Sequence, residues 1–353
     1  MVHIVNAVSG FPAHYYRQEE ITTAMRRLWS SRSSGLERLE RFHNNMLVNG
    51  RYLALPLESY LTPSGFGERN DAWIEAAMEL GEDVLCRLLD RAQLAPQEID
   101  QITFTTITGI AVPSVDARLM NRIPFSRHMK RVPLFGLGCV GGAAGIARLA
   151  DYLAGHPDQA AILLSIELCS LTIQHQDLSV ENMISTGLFG DGAAAVLMVG
   201  ERHPLASAGQ PRVVDNRSVF FPHTEHIMGW VVNDTGFKIV LSAEVSAMVE
   251  ANLKPALIEF LAGHRLEAEQ ISHWLVHPGG PKVIQSVEAG LGLKEGALEL
   301  SREILAGVGN VSSASVLMIL ERALARYRPE PGSYGVLMAM GPAFGAELVL
   351  LQW

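Results

Sequence analysis

The sequence predicts an α/β fold built from two similar halves, and two observations support this. Apolar, strand-like segments alternate with helix-like segments, as at 132–138, 139–154 and 160–168. Such alternation is typical of proteins in which helices cover both faces of a buried sheet. Several segments of the first half also recur, in the same order, in the second half. At 353 residues the chain is long enough for two domains or for one domain with two lobes.

Three pairs of matching segments make up the repeat. The segment LAPQEIDQITFTT matches LEAEQISHWLVHP, and GLGC at 136–139 matches GVGN at 307–310. A predicted helix of small residues follows each glycine-rich turn. Both halves then close on an apolar strand, at 193–200 and at 334–341. An ordered series of matches predicts an internal duplication.

The joint between the halves is predicted in the polar, Pro-containing stretch 201–218. We therefore expect an N-terminal half at 1–205 and a C-terminal half at 206–353. If a pseudo-twofold axis relates the halves, their glycine-rich turns lie at equivalent places and both helix starts face a shared centre.

Composition and charge exclude several classes of protein. With 48% hydrophobic and 18% charged residues, the chain can bury a substantial core. Its net charge of -9 opposes binding to nucleic acid. The apolar runs fall short of the ~20 residues that a membrane span needs, and the N-terminus shows no signal-peptide pattern. We expect a cytoplasmic protein with no membrane span and no nucleic-acid partner.

The cysteines and histidines do not follow a metal-binding pattern. Cys86, Cys139 and Cys169 are far apart and odd in number, which favours free thiols over a disulfide framework. Neither C-x-x-C nor H-E-x-x-H occurs in the sequence. We therefore predict no dedicated metal site.

Cys139 is the candidate nucleophile. It lies in FGLGCVGGAAG at 135–145, after a predicted strand and at the start of a predicted helix. A helix N-terminus stabilises a thiolate, so we expect a lowered pKa for this thiol. The glycines permit a tight turn and close packing of the helix. The alternative is a buried structural cysteine, which is the more common role of a cysteine in general.

His277 and Asn310 are the candidate partners of Cys139 in the second half. His277 ends a predicted strand and precedes Pro-Gly-Gly-Pro, an open loop whose glycines, Gly279 and Gly280, leave the backbone accessible to a phosphate or an amide. Asn310 is the residue equivalent to Cys139. Taken singly, His277 could be a histidine at an ordinary strand end, and Asn310 could be a helix cap.

Together the three side chains suit acyl transfer followed by carbanion chemistry. Cys139 would take an acyl group from a thioester, while His277 and Asn310 would hold the oxygen of an enolate formed by loss of carbon dioxide. Cysteine proteases also use Cys, His and Asn, but their nucleophile lies near the mature N-terminus in a different flanking sequence.

The sequence resembles the type III polyketide synthases, the chalcone synthase-like branch of the thiolase superfamily. The resemblance covers nearly the whole chain, and its most specific motifs are GLGCVGGAAG, LFGDGAAAV, HPGGPKVI, GNVSSAS and MGPAFGAELVLL. It implies a five-layered αβαβα subunit with two central mixed sheets and a homodimer. The implied substrates are acyl-CoA and malonyl-CoA, with no further cofactor, and the implied catalytic residues are Cys139, His277 and Asn310.

The resemblance also implies roles for other residues. Phe189 matches a gatekeeper phenylalanine beside the nucleophile, Thr172 and Ser312 match residues near the cavity, and Val112 matches a residue that reaches into the partner's cavity. Gly279, Gly280 and Lys282 match the loop that contacts coenzyme A, while Arg41 and Arg51 are the candidates for contacts with its phosphates. Two departures from the pattern are Ile239, at a second gatekeeper position, and Ala343, in place of a glycine.

The sequence is most similar in character to the actinobacterial, alkylpyrone synthase-like members of this family. The resemblance therefore implies a medium- or long-chain fatty acyl-CoA starter and an alkyl α-pyrone or alkylresorcinol product. One alternative is a single-condensation enzyme of the 3-oxoacyl-ACP synthase III type, which would depend on a carrier protein. Another is a catalytically silent subunit of the same fold that binds a partner chain or a lipid.

Overall fold

The structure is a computed structural model that describes residues 1–30, 36–62 and 64–353. The strands are β1 (Val2–Gly10), β2 (His14–Arg17), β3 (Gly50–Leu53), β4 (Gln101–Thr106), β5 (Lys130–Phe135), β6 (Ala160–Leu168), β7 (Asp191–Val199), β8 (Arg212–Val219), β9 (Met228–Asn233), β10 (Gly236–Leu241), β11 (Ile271–Val276), β12 (Tyr334–Gly341) and β13 (Gly345–Gln352). The helices are α1 (Gln18–Leu28), α2 (Leu36–Asn45), α3 (Phe66–Ala92), α4 (Val115–Leu119), α5 (Gly141–Gly155), α6 (Val180–Leu188), α7 (Val245–Ala262), α8 (Pro281–Leu291), α9 (Glu299–Val308) and α10 (Ala314–Arg326).

Within the described residues, nine strands form one mixed sheet in the order β11-β12-β13-β8-β1-β7-β6-β4-β5. β4 runs parallel to β5 and β6, β11 runs parallel to β12, and the other pairs are antiparallel. The two central sheets expected from the sequence are the two parts of this sheet. They join because β1 and β8 pair over a short stretch, Val2 with Val213 and His3 with Arg212.

The two parts of the sheet enclose a central pair of helices, which gives five layers. α5 and α10 pack between them, α3 covers the outer face of β1, β6 and β7, and α7 with α8 covers the outer face of the second part. Alternate side chains of each buried strand serve different layers: Ile162 and Leu164 of β6 face α3, whereas Ala161 and Leu163 face the central helices. β6 and β7 are mostly apolar and buried along their whole length because both faces are covered.

The structure confirms the strands predicted around 160–168, 193–200 and 334–341, and the helix predicted after Cys139. One expectation was wrong. The strand at 132–138 was expected to be buried, but β5 is the outermost strand of the sheet and most of its residues are exposed. Its apolar side chains therefore do not belong to the core of a single chain.

No helix in the described part of the chain combines the length and the apolar character needed to cross a membrane.

The contact between α5 and α10 depends on a glycine. A Cβ atom on Gly142 would overlap the backbone carbonyl oxygen of Ser313 and lie 2.8 Å from Val316 Cγ1. The backbone of one helix therefore touches the other directly, and this brings the two helix starts together.

Substituting Gly142 tests this contact. We expect Gly142→Ala to lower the free energy of unfolding by roughly 2–3 kcal/mol, because a backbone atom cannot move aside for the added methyl group. Urea unfolding followed by far-UV circular dichroism measures the change. Gly155→Ala is the matched control, since no atom lies within 4 Å of a Cβ at this other end of α5. Equal stability of the two variants would contradict the prediction.

Candidate active site

Cys139 lies in a single 3₁₀ turn, Gly138–Val140, between β5 and α5. The turn needs its glycines: Gly136 and Gly138 have φ angles of 96° and 56°, and a Cβ on Gly138 would lie 2.6 Å from the ring of Pro342. The chain thus turns tightly and places the thiol at the start of the central helix, as the sequence predicted.

Asn310 lies at the equivalent place in the second half, just before α10. Its backbone pairs with Phe189 in an isolated bridge, so the C-terminal turn is tied to the loop that follows α6. Its side-chain Oδ1 accepts a hydrogen bond of 2.8 Å from the backbone N–H of Ser312. This contact fixes the carboxamide so that Nδ2 is the donor left on the other side, where it lies 3.4 Å from the Gly279 carbonyl oxygen.

His277 directly follows β11, and its backbone N–H donates to the Met338 carbonyl oxygen. Its side chain is buried, and neither ring nitrogen has a hydrogen-bond partner among the described residues. Burial lowers the pKa of His277 to about 3, so the imidazole is neutral near pH 7. A neutral imidazole with two unused nitrogens can both donate and accept a hydrogen bond.

The structure brings these three residues to one cavity. Cys139, His277 and Asn310 line a space of about 480 Å³, here called the triad cavity. The remaining lining is apolar apart from the backbone of Gly279: Leu188, Phe189, Met228, Ile239, Leu241, Val245, Val249, Val283, Met340 and Phe344. Few polar groups therefore surround any charge that forms there.

The thiol of Cys139 contradicts one expectation. The sequence suggested a lowered pKa at a helix N-terminus, but burial raises the pKa of Cys139 to about 12. A contact with Ser312, whose Oγ lies 3.7 Å from Cys139 Sγ, opposes this effect without overcoming it. Burial thus favours the neutral thiol and the neutral imidazole, and a neutral thiol needs a base to accept its proton as the sulfur attacks.

Two further cavities adjoin the triad cavity and share lining residues with it. The middle cavity, of about 430 Å³, contains Cys139, Ser312 and Ile239 together with Cys169 and Trp230. The inner cavity, of about 410 Å³, lies beyond Cys169. Phe189 lines all three spaces.

The other residues selected from the sequence have different outcomes. Thr172 lines none of these three cavities; its hydroxyl donates to the Cys169 carbonyl oxygen, and Cys169 takes the cavity position. Val112 is 89% exposed and lies outside the cavities of its own chain. Lys282 is exposed in the first turn of α8, and Arg41 is exposed on α2 with its guanidinium 5.7 Å from the Phe42 ring centre.

Arg51 cannot contact the phosphates of coenzyme A at the surface, so that expectation was wrong. Its side chain is only 1% exposed, and its guanidinium donates to the backbone carbonyl oxygens of Phe189 and Thr186. The arginine points inward, and its two hydrogen bonds hold the segment that contains Thr186 and Phe189.

Sequence reasoning missed Cys169, Glu167 and the wall formed by Met228 and Trp230. A single cysteine or glutamate within an apolar strand carries no spacing signal. In the hairpin of β9 and β10, Ile239 was the residue that the sequence singled out. These residues become visible only when the chain is folded around the cavities.

Sequence comparison assigns the family. The sequence model of the chalcone and stilbene synthases matches this chain over 2–202 with its N-terminal domain and over 212–353 with its C-terminal domain. This chain belongs to the chalcone and stilbene synthase family, the type III polyketide synthases. It is therefore an acyltransferase that forms carbon–carbon bonds with malonyl-CoA as a substrate, and its fold is thiolase-like. The assignment favours a polyketide synthase over the 3-oxoacyl-ACP synthase III alternative.

Two curated relatives and one solved structure show how similar other members are. The chain is 47% identical to 1,3,6,8-tetrahydroxynaphthalene synthase of Streptomyces peucetius subsp. caesius, over 98% of this chain and 91% of that one. It is 34% identical to a putative chalcone synthase of Bacillus subtilis (strain 168), over 100% and 99%. The crystal structure of 1,3,6,8-tetrahydroxynaphthalene synthase from Streptomyces coelicolor A3(2) matches with a TM-score of 0.93 at 32% identity, covering 99% of both chains.

Glu167 of this polyketide synthase is a buried carboxyl group next to the middle cavity. It accepts hydrogen bonds from the Ser313 hydroxyl, from the backbone N–H of Ile107 at 3.1 Å and from the Thr108 hydroxyl at 3.0 Å. Ile107 and Thr108 line the middle cavity. Burial nevertheless raises the pKa of Glu167 to about 7.

The raised pKa predicts a pH dependence of stability. The folded protein holds the Glu167 proton more tightly than the unfolded chain, whose carboxyl has a pKa near 4.5, so the stability falls as pH rises from about 4.5 to about 7. We expect this group to contribute a loss of roughly 3 kcal/mol over that window. Glu167→Gln should remove this contribution to the change of unfolding free energy with pH. Urea unfolding at several pH values measures that change. The exposed Glu75→Gln should leave it unchanged, and an unaltered slope in Glu167→Gln would refute the assignment.

Proposed function

We propose that Cys139 of this polyketide synthase carries the growing acyl chain and that His277 and Asn310 hold the thioester oxygen of malonyl-CoA. The observation that carries this proposal is the shared triad cavity, in which the ring nitrogens of His277 have no protein partner. Nothing in the described part of the chain competes with a substrate for those nitrogens.

Loading of the starter begins at the thiol. Cys139 Sγ attacks the carbonyl carbon of an acyl-CoA, and the thiol proton passes to the neutral imidazole of His277. The carbon–sulfur bond to coenzyme A breaks, and His277 returns the proton to the departing thiolate. A buried thiol with a raised pKa makes a strong nucleophile once its proton is taken.

Extension then uses the donors opposite the thiol. Malonyl-CoA loses carbon dioxide, and the resulting enolate oxygen accepts hydrogen bonds from His277 and from Asn310 Nδ2. The enolate carbon attacks the thioester on Cys139, forming the new carbon–carbon bond and releasing the sulfur. The apolar walls favour conversion of the carboxylate to neutral carbon dioxide.

The loop before α8 is the proposed contact for coenzyme A. Gly279 lines the triad cavity, and Gly280 has a φ of 154°, which only glycine adopts easily. Lys282 is exposed one residue into α8, where its ammonium group can reach a phosphate. Arg41 on α2 is the proposed second phosphate contact.

We propose a hydroxylated aromatic product made from malonyl-CoA alone. The support is the similarity to 1,3,6,8-tetrahydroxynaphthalene synthases over nearly the whole chain. The naphthalene skeleton named there has ten carbons with oxygen on alternate positions, which corresponds to five two-carbon units. Repeated use of one extender on one thiol would supply such a chain.

A fatty acyl-CoA starter with an alkyl α-pyrone or alkylresorcinol product is the second candidate. The observation in its favour is the inner cavity, whose wall contains Ile21, Met25, Leu53 and Leu57. These apolar side chains could accommodate an alkyl tail.

A homodimer is also proposed. β5 is the edge of the sheet, and its Phe135 is 55% exposed. Val112 is more exposed still, which suits a residue that enters the partner's cavity. Exposed apolar side chains beside an unpaired strand edge are typical of an interface.

Product analysis decides between the two starters. With malonyl-CoA alone we expect an aromatic product by mass spectrometry, and adding hexanoyl-CoA or longer acyl-CoAs should divert little of the flux. A product made only when a fatty acyl-CoA is present would instead establish the second candidate.

Substitutions at the three residues test the catalytic assignment. We expect Cys139→Ala to abolish condensation while malonyl-CoA decarboxylation continues, because the oxyanion donors remain. Asn310→Ala should slow both reactions by about 10²–10³-fold, as expected for removal of one oxyanion donor. Radiolabelled malonyl-CoA follows both reactions, and the exposed Cys86→Ala is the control. Full condensation by Cys139→Ala would rule out the proposed nucleophile.

Charges placed on β5 test the dimer. We expect the double variant Val132→Lys, Phe135→Lys to shift the mass measured by light scattering from dimer to monomer, because two lysines would repel their symmetry mates. Ile258→Lys, at a 51% exposed position on α7, should leave the mass unchanged. A wild-type monomer, or a dimer unaffected by the double variant, would contradict the proposed interface.

A further inference from the structure

The inner cavity has one charged side chain, and its wall is otherwise apolar apart from the hydroxyl-bearing residues Tyr60, Ser170, Ser185 and Thr186. It lies beyond Cys169 and Phe189, between α1 and the segment that follows β3. Cys169 and Phe189 line both the middle cavity, which contains Cys139, and the inner cavity, so the inner cavity lies on the far side of these two side chains from the thiol. The charged side chain is Arg51.

Arg51 is a buried cation without a direct anionic partner. Its two terminal nitrogens donate to the carbonyl oxygens of Phe189, at 3.0 Å, and of Thr186, at 2.5 Å, while Nε has no partner among the described residues. No carboxylate oxygen in the described part of the chain lies within 4.0 Å of its nitrogens. The nearby carboxylate, Asp191, is engaged by the backbone N–H groups of Ala54 and Ser170.

An unpaired charge in an apolar interior is costly, and an anion beside it offsets the cost. Two carbonyl dipoles and a carboxylate beyond contact distance compensate only part of the charge of Arg51. Arg51 lines the inner cavity, so a ligand group bound there would lie next to its side chain. Ser185, in the same wall, adds a hydroxyl with no hydrogen-bond partner among the described residues.

We propose that the inner cavity binds the distal end of the growing chain and that Arg51 anchors a free carboxylate at that end. The inference rests on the proposed function, because a malonyl group that serves as starter keeps its own carboxylate. That carboxylate stays at the far end of the chain while extension occurs at the thioester end, and it leaves as carbon dioxide once extension ends, because the proposed naphthalene product contains only five two-carbon units. An uncharged alkyl tail would fill the same space but would leave the guanidinium unpaired.

The proposal explains how one enzyme could distinguish malonyl-CoA as starter from malonyl-CoA as extender. The extender loses its carboxylate while His277 and Asn310 hold its thioester oxygen, whereas the starter would keep its carboxylate paired with Arg51 in the inner cavity. Carboxylate binding by Arg51 would thus protect the starter from the reaction that consumes the extender.

Acylation of Cys139 by matched starters tests the proposal without requiring any product. The probes are ω-carboxyacyl-CoAs from malonyl-CoA to pimeloyl-CoA, each paired with an uncharged acyl-CoA of similar length. Intact-protein mass spectrometry measures the acylated fraction in competition. We expect Arg51→Gln to reduce the preference for the carboxylate-bearing starter by about tenfold at the lengths that reach the inner cavity, as for loss of one charge-assisted contact.

Three further variants make the result specific. Arg51→Lys keeps the positive charge and should recover part of the preference. Met25→Trp should fill the inner cavity and reduce acylation by the longer starters of both kinds, whereas Thr23→Trp, on the exposed side of α1, should have no effect. Arg26→Gln, an exposed arginine on the same helix, controls for general loss of charge.

The outcomes separate this proposal from the proposed function. If wild-type Cys139 is not acylated by any starter, the catalytic assignment itself fails. If acylation is normal but Arg51→Gln changes both kinds of starter equally, or neither, the anchor is overturned and the catalytic assignment stands. Should Arg51→Gln fail to fold, an equal change in acylation by charged and uncharged starters in Arg51→Lys, or unchanged long-chain acylation in Met25→Trp, would overturn it.

Discussion

The direct contact between α5 and α10 is the constraint on which the rest of the site depends. Gly142 lets the backbone of one helix touch the backbone of the other at Ser313. Because both helices begin at this contact, the turns that precede them are neighbours, and Ser312 lies beside the thiol of Cys139. A larger residue at position 142 would separate the two turns. The small residues of the motif are therefore needed to bring the two turns together.

Burial at this centre has a second consequence for the charges of the site. It favours the neutral thiol of Cys139 and the neutral imidazole of His277, and it raises the pKa of Glu167. Neutral groups in an apolar cavity suit a reaction in which charge appears only during the chemical step, because the donors need no reorganisation when it forms. Arg51 is the exception, since it remains a buried cation beside an inner cavity.

The sequence predicted the structure correctly where a local pattern of residues is compatible with only one local conformation. Glycines on either side of Cys139 predicted a tight turn before a helix, and the structure has both. Prediction failed where the outcome depends on distant neighbours. β5 carries apolar side chains but pairs with another strand on only one side. Arg51 resembles a surface arginine in the sequence, whereas in the structure its side chain is buried against the loop at Phe189. Thr172 and Cys169 lie in one turn, and only the fold decides which of them borders the cavity.

The sequence by itself determined the α/β class, the duplicated organisation and the residues that could react, since periodicity, repetition and glycine-rich turns are local properties of the chain. The tertiary structure alone decided that the two half-sheets join through β1 and β8, that burial raises the pKa of the Cys139 thiol, and that a cation borders the inner cavity. The physical reason is that burial and electrostatic environment arise from the neighbours of a residue, and those neighbours come from parts of the chain far from it in sequence.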